Sequence, residues 1–503
     1  MNVSASRYAD WKAPADDRQL LIWPPPHELL HDARTNHARL ARSHHVLIQK
    51  IPLPELRRKM RAWLGHESDE QPLLATGHQT ELEHAGVWVK NVLINVAAAK
   101  LEGRAVHFAV DTDAPKHLHL RWPGEAMPIT DDRRLNTAAW AGLLDPPSPR
   151  HLQEIERRLR ESSRDWSFTP VLPSILASLR RLTLESLSFP AALLNAVHEL
   201  EWEMGLRHHA LTTSPIWSSE PMLTFAHHLL ADAPEFATHY NLALADYRRE
   251  SGSRNPNRPM PDLFVSDQSI EAPFWMDDLR RSRRSRPSVF KTDEGWALQL
   301  PNGERFTFRR EAEGLSAAAK LAKWLNANHV RLAPRALTLT MFLRLSAADQ
   351  FVHGIGGGRY DQVTDRIIAS YFRLDPPRFA VTTATMLLPL ALEQTRICLP
   401  CVVSEGHHLR HRLLGERKMQ YVERIASLPR KSPQRRELFT QMHRDLSAAA
   451  ATHPTLSRWE QTLRETQQRE LEEKTLFDRE LFFALQPRER LEGMIEQYHA
   501  LFG

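Results

Sequence analysis

The chain has almost no cysteine, two residues in 503. That excludes a disulfide framework and the small secreted scaffolds that depend on one. It has no strong charge of either sign. Lys and Arg number 66 against 61 Asp and Glu, a net +5, too slight at this length to argue for a nucleic-acid partner. It has no long uninterrupted apolar run. The greasiest stretch, 385–403, is broken by Pro389, Glu393, Arg396 and Pro400, which makes it a poor membrane span and predicts a buried helix and strand. The first residues are polar and carry Asp10, without the apolar core of a secretory signal, so the cytoplasm is the expected location.

What is present is globular material. Hydrophobic residues are 42% and charged residues 25%, enough for a large core, which rules out disorder as the main state. The length predicts two or more structural units. Histidine is unusually frequent, at 26 residues.

The segment 70–115 is the most informative. Pro72 to Thr76 predicts a short buried strand, 77–85 a polar turn, and Gly86 to Leu101 a helix with Val89, Val92, Leu93 and Val96 at helical spacing. Ala105 to Val110 predicts a second strand ending at Asp111-Thr-Asp113. Strand, helix and strand in this length make a βαβ unit with parallel strands, and such sheets bind ligands at their carboxyl ends. Helices are expected over 24–64, 146–250, 315–326 and 361–372. A β-hairpin is expected around Asn302-Gly303, preceded by the basic run Arg280 to Arg286, read as a solvated loop with a phosphate-binding patch as the alternative. Beyond Glu405 the chain is charged. Leu456, Trp459, Leu463 and Leu471 form an apolar stripe that needs a partner helix, from the same chain or from a second copy.

Three constellations could carry chemistry. Thr76-Gly77-His78-Gln79 lies where a strand gives way to a helix, a ready anion site in which His78 could donate a proton or hydrogen-bond a phosphate, though an ordinary polar turn reads the same way. Asp111 and Asp113 end the neighbouring strand and could hold a metal, a hydroxyl or an amine, or cap local backbone. Gly354-Ile-Gly356-Gly357-Gly358-Arg359-Tyr360-Asp361 concentrates four of the chain's 19 glycines, with an arginine suited to an anion. Cys398-Leu-Pro-Cys401, with His407, His408 and His411 downstream, is read as two buried structural cysteines, with zinc as the alternative. The doublets at His44, His208 and His227 are read as surface pairs on helices.

Taken together, these pieces resemble the BshC family, the cysteine-adding enzymes of bacillithiol biosynthesis. Ala75-Thr-Gly-His-Gln79 with Gly86 and Lys90 corresponds to the family's TGQQ-x-G turn and helix lysine. Asp111-Thr-Asp113 corresponds to its acidic strand end, Gly356 to Arg359 to its Gly-Pro-Gly-Glu turn, and Leu485 to Arg490 to its closing QER segment. His78 stands where the family has glutamine, and Arg359 where it has a carboxylate, so the branch is divergent and its acceptor open. The resemblance implies an α/β fold: a Rossmann-like parallel-sheet core with helical insertions, a small β-hairpin region and a C-terminal helical hairpin or coiled coil. The expected organisation is a helical segment over 1–69, a core over 70–403 (helical about 146–250, β-rich about 262–310), a helical hairpin over 404–485, and 486–503 returning to the core.

The implied activity is an ATP-dependent, amide-forming ligase, with magnesium accompanying the nucleotide, that joins cysteine to an amino-sugar acceptor. His78, Asp111, Asp113 and Arg359 would be catalytic. Thr76, Gly77, Gln79, Gly356, Gly357, Gly358, Tyr360 and Asp361 would bind the nucleotide. No residue is assigned as a metal ligand. A homodimer is expected, with neither nucleic acid nor membrane as a partner. A nucleotide-binding enzyme with another acceptor, or a non-catalytic zinc- or partner-binding scaffold, are the alternatives.

Overall fold

Six strands make the central sheet. In chain order they are β1 (Leu20–Trp23), β2 (Leu73–Gln79), β3 (Arg104–Val110), β4 (His209–Thr212), β5 (Gln350–His353) and β6 (Ala380–Ala384). The structure is a computed structural model that describes residues 11–66, 70–185, 187–255, 257, 259–390, 398–451 and 453–503, with backbone alone at 410, 411, 471 and 472. The expected polar N-terminus before Trp11, the 391–397 part of the greasy stretch, and the side chains of His411 and Leu471 lie outside the described residues.

The spatial order is β1-β6-β5-β2-β3-β4. All neighbours are parallel except β1, which runs antiparallel to β6 along the edge. The chain therefore builds outward from β2 through β3 to β4, then returns to the other side of β2 to lay down β5 and β6. The direction of building reverses between β2 and β5.

The βαβ unit forms as its pattern predicts, with α1 (Ala85–Lys100) joining β2 to β3. Helix α1 is apolar nearly all round because it is buried nearly all round, Trp88, Val89, Val92, Leu93, Ile94 and Val96 among its covered residues. It starts so close to β6 that only glycine fits at 86, where a Cβ would lie 2.8 Å from the Ala384 carbonyl oxygen. The expected turn at 77–79 is a correction. Strand β2 runs through Gly77, His78 and Gln79, each paired with a residue of β3, Phe108 to Val110. The expected helical stretch 146–250 does hold α2 (Phe189–Glu203) and four further α-helices, but it also contains the edge strand β4.

The hairpin forms as expected, Gly295–Gln299 against Arg305–Phe308. The basic run is not a solvated loop throughout. Arg284 reaches inward to a fully buried Asp277, which also holds Arg331. The region past Asn326 supplies α3 (Ala336–Ser346) and, beyond β5, α4 (Ile355–Tyr371).

Strands β2 and β5 are pinned together at their amino ends. Leu73 and Asp349 are joined by two hydrogen bonds, one between backbones, Asp349 N–H to the Leu73 carbonyl at 2.8 Å, and one to the side chain, Leu73 N–H to Asp349 Oδ2 at 2.8 Å. The carboxylate is fully buried and also accepts from Arg57 at 2.7 Å and Arg61 at 2.5 Å, both on the helix Leu53–Trp63. Burial alone would raise its pKa, but Arg61, His37 and Arg57 overcome that and hold it down to about 2.

Residues 121–126 and 388–478 form a separate unit. Its helices are Leu399–Arg412, Glu416–Ser427, Pro433–Ala451 and Pro454–Leu476, the first packing on the last and the second on the third. Leu456 and Trp459 are buried within this unit, and the Trp459 indole N–H donates to the Val402 carbonyl at 2.6 Å. The apolar stripe thus finds its partner in the same chain. Cys398 and Cys401 are joined in a disulfide and exposed rather than buried.

Two stability experiments follow from this packing. Asp349→Asn leaves two buried guanidinium groups short of a carboxylate, and the expected loss is about 3–5 kcal/mol by urea unfolding. A loss below 1 kcal/mol would show that the pin is not structural. At Gly406, a Cβ would lie 1.9 Å from the Trp459 ring. Gly406→Ala should therefore lower the melting temperature of the helical unit, and raise the solvent exposure of Trp459 measured by fluorescence quenching.

Candidate active site

The carboxyl ends of β2 and β5 lie side by side where the sheet reverses direction. Gln350, Phe351 and Val352 pair with Leu74, Ala75 and Thr76, so His353 and Gly354 follow beside Gly77 and His78. Crossovers leaving in opposite directions place their helices on opposite faces and open a crevice between the two strand ends. Helix α1 packs on Pro26–Ala41 and Arg488–Phe502, whereas α4 packs on α3 and Ala233–Ser251.

The glycine-rich segment is a correction. It is not a turn before a helix at Asp361, because α4 begins at Ile355 and places Gly356 to Asp361 in its first two turns. Gly354 is the N-cap and offers no side-chain cap. A Cβ at Gly354 or Gly356 would meet open space, whereas one at Gly357 would press on the His353 ring and one at Gly358 on Val381 and Trp11. The first two glycines leave the helix N-terminus accessible, and the other two let the helix pack closely on its sheet.

Several predicted site side chains serve the scaffold. Thr76 donates to the Val352 carbonyl at 2.8 Å and stitches β2 to β5. Asp111 accepts from Ser214 N–H at 2.8 Å, from the Ser214 hydroxyl at 2.5 Å and from Thr213 at 3.1 Å, tying β3 to the chain after β4. Asp361 is buried and accepts from Arg344 at 2.7 Å, His353 Nε2 at 2.8 Å and Thr340 at 2.9 Å. Burial would raise its carboxyl, yet Arg344 and His353 hold it far below the usual range. Arg359 donates to the Trp11 carbonyl, and Tyr360 is exposed. Of the acidic pair only Asp113 stays at the strand end beside β2, accepting from Gln79 at 2.5 Å.

The chemistry gathers instead under α1. Period-two alternation puts Thr76 and His78 on one face of β2, with His107 beside Thr76 on β3. The loop from β2 to α1 folds Glu81 and Glu83 back over that face. Lys90, almost fully buried, donates to the Gly77 carbonyl at 2.9 Å. His78 Nε2 lies 3.3 Å from Glu81, and Glu83 lies 3.9 Å from His78 and 3.8 Å from His107. Burial pushes the Glu81 carboxyl up to about 7, against the opposing pull of Lys90 and Lys116. Burial likewise raises Glu83 and lowers Lys90, each partly restoring the other's charge. Burial, with Lys90 nearby, keeps His78 neutral, so it can exchange hydrogen bonds but not act as an imidazolium acid. Carboxylates and an amine brought toward neutrality beside a strand end are the equipment of proton transfer near pH 7.

Glu83 and His107 were not legible as site residues, and Lys90 only as a family landmark. A charged residue in an apolar helix, such as Lys90 between Val89 and Val92, is the one signal that could have found the cluster. His208 and His227, expected at the surface, are both buried, and His208 lies just before β4 rather than on a helix. No family model matches the chain, and no curated protein matches it.

Glu81 gives the site a pH signature. With its carboxyl raised to about 7 from an ordinary 4.5, the folded protein holds between those values a proton that the unfolded chain has released. Its contribution to stability therefore falls as pH rises from about 4.5 to about 7. Glu81→Gln removes this dependence. Measured by urea unfolding, the variant should gain on the unmodified protein by about 1–3 kcal/mol between pH 4.5 and pH 8. A difference that does not change with pH would show that Glu81 is not buried as described.

Proposed function

We propose that the sheet is a Rossmann-like core and that its reversal point is the active site of an ATP-dependent, amide-forming ligase. The observation that carries this reading is a juxtaposition: an uncapped helix N-terminus with open space at Gly354 and Gly356, beside the buried Glu81, Glu83 and Lys90 cluster at the end of β2. The first suits an anion such as a nucleotide phosphate, and the second suits proton transfer.

The residues present fit a nucleotide at the N-terminus of α4, where a Cβ-free backbone admits close approach. Asp113 and Glu81 are the carboxylates available to a magnesium ion carried with it. Bound ATP would supply activation of a carboxyl group, which an amine cannot otherwise attack at a useful rate. Glu83 or Glu81 would take the proton from the attacking amine. Lys90, partly neutral through burial, would hold the Gly77 carbonyl and share that proton. The peptide N–H groups at the start of α4 would face the charge developing on the acyl oxygen or phosphate.

Cysteine as the acid and an amino sugar as the amine come from the family resemblance alone. Asp361 is held by Arg344, His353 and Thr340, and Arg359 by the Trp11 carbonyl, so both take supporting roles around the start of α4 in this reading. The homodimer belongs to the same proposal. Leu456 and Trp459 are already covered, so the supporting surface is the exposed Val403, Met419, Val422 and Phe439 of the helical unit. A scaffold that binds zinc through its CxxC motif is not favoured, since those two sulfurs are bonded to each other.

The test is nucleotide turnover by the purified protein with cysteine and glucosaminyl malate. ADP or AMP formation should require both substrates. Lys90→Met and Glu83→Gln, shown by circular dichroism to be folded, should each lower kcat by about 100-fold or more. ATP turnover that ignores cysteine would point to another acid substrate, and no turnover with any amine would overturn the ligase reading.

A further inference from the structure

The opposite edge of the sheet holds a second cluster. We propose that His198, Glu201 and His208 bind one zinc ion there, at the amino ends of β3 and β4.

His198 and Glu201 are three residues apart on α2, so both side chains project from one face of the helix. The chain then turns back, and His208, just before β4, meets them. One donor atom from each of the three lies within 4.8 Å of the other two. His208 Nε2 is 3.2 Å from Glu201 Oε2, and His198 Nδ1 is 3.9 Å from the same oxygen. Zinc bonds of about 2.0–2.1 Å at tetrahedral angles place ligand atoms roughly 3.3–3.4 Å apart, so side-chain shifts of about an ångström would complete the site.

Two further observations point to a ligand. His208 Nε2 and His198 Nδ1 are both buried atoms and converge on the same oxygen of one buried carboxylate, Glu201 Oε2. The carboxylate's other oxygen is held from behind by Asn91 Nδ2 at 2.8 Å, the outer support that metal-binding carboxylates commonly have. Asn95 Nδ2 lies 2.9 Å from His208 Nδ1.

The cluster borders a cavity of about 540 Å³ whose lining includes His66, His209, Arg104 and Arg207. The cavity gives an ion access, and its arginines suit an anionic or water-derived fourth ligand. Two imidazoles and a carboxylate select a borderline ion such as zinc over magnesium or calcium, which prefer oxygen.

The experiment uses the full-length protein, stripped with EDTA and titrated with cobalt(II) and then zinc. Expected are one equivalent of bound metal by elemental analysis, a tetrahedral cobalt absorption band displaced by zinc, and a higher melting temperature with zinc. His198→Ala, at a partly exposed position that should fold, and Glu201→Gln should weaken binding by about 100-fold or more. His408→Ala, in the other histidine-bearing region, should change nothing. Unaltered cobalt binding by folded His198→Ala, binding lost only in His408→Ala, or no wild-type binding tighter than about 10 μM would each overturn the site.

Discussion

A single buried carboxylate sets the register on which the rest depends. Asp349 is fully buried and makes hydrogen bonds to Arg57, Arg61 and the Leu73 backbone. It thereby joins a helix from early in the chain to two strands separated by more than 270 residues of sequence. A strand four residues long, as β5 is, has too few ladder bonds to choose its neighbour strongly. The charge makes the choice, because Asp349 is satisfied only when β5 lies beside β2 with its first residues level with Leu73. Once that pairing is fixed, the reversal of the sheet falls at Gly77 and His353. The helix N-terminus at Gly354 and the Glu81–Glu83–Lys90 cluster are brought to the same edge.

Two kinds of buried charge therefore coexist in one unit. Asp349 and Asp361 face arginines at hydrogen-bond distance, and attraction overcomes desolvation, so both stay ionised and hold structure. Glu81 and Glu83 are opposed by lysine charge alone, Lys90 for both and Lys116 for Glu81, so desolvation dominates and their carboxyls rise. The first arrangement stabilises. The second costs stability near neutral pH, a cost that the proposed role in proton transfer would account for.

Much of the fold was legible because it is local. The βαβ unit, the Asn-Gly hairpin and the charged helices past Glu405 each announce themselves within about 30 residues. Strands β1 and β4 did not, since each is four residues long and becomes a strand only through a partner far away in sequence. The glycine-rich segment misled for a related reason. Glycine disfavours helix in isolation, but Gly358 lies so close to Val381 and Trp11 that a Cβ there would force them to move, and Gly357 sits tightly against His353, so glycine lets the helix settle on the sheet. The site was legible in part. The strand ends were found, but the assigned side chains were chosen for their type, and type does not say which carboxylate is already taken. Asp111 is occupied by Ser214 and Thr213, whereas Glu83, which no motif marks, sits in the cluster.

The two edges of the sheet are linked beneath α1 by a line of polar groups. Glu83 approaches His107 at 3.8 Å. His107 Nδ1 lies 3.4 Å from Asn91 Nδ2, and the same Asn91 amide donates to Glu201 at 2.8 Å. Every member of this line is nearly or fully buried, where an unpaired polar group costs about 1–3 kcal/mol. A line of this kind is maintained only if each group satisfies the next, so a change at one edge alters the partners available to the other. Asn91 is the residue where the two halves meet. Its one amide serves both a neutral imidazole and a carboxylate that stays ionised. Helix α1 is accordingly more than a crossover. One turn of it, from Trp88 to Asn91, seals the apolar layer and supplies both Lys90 to one edge and Asn91 to the other, which explains why this largely apolar helix carries two buried polar residues in succession.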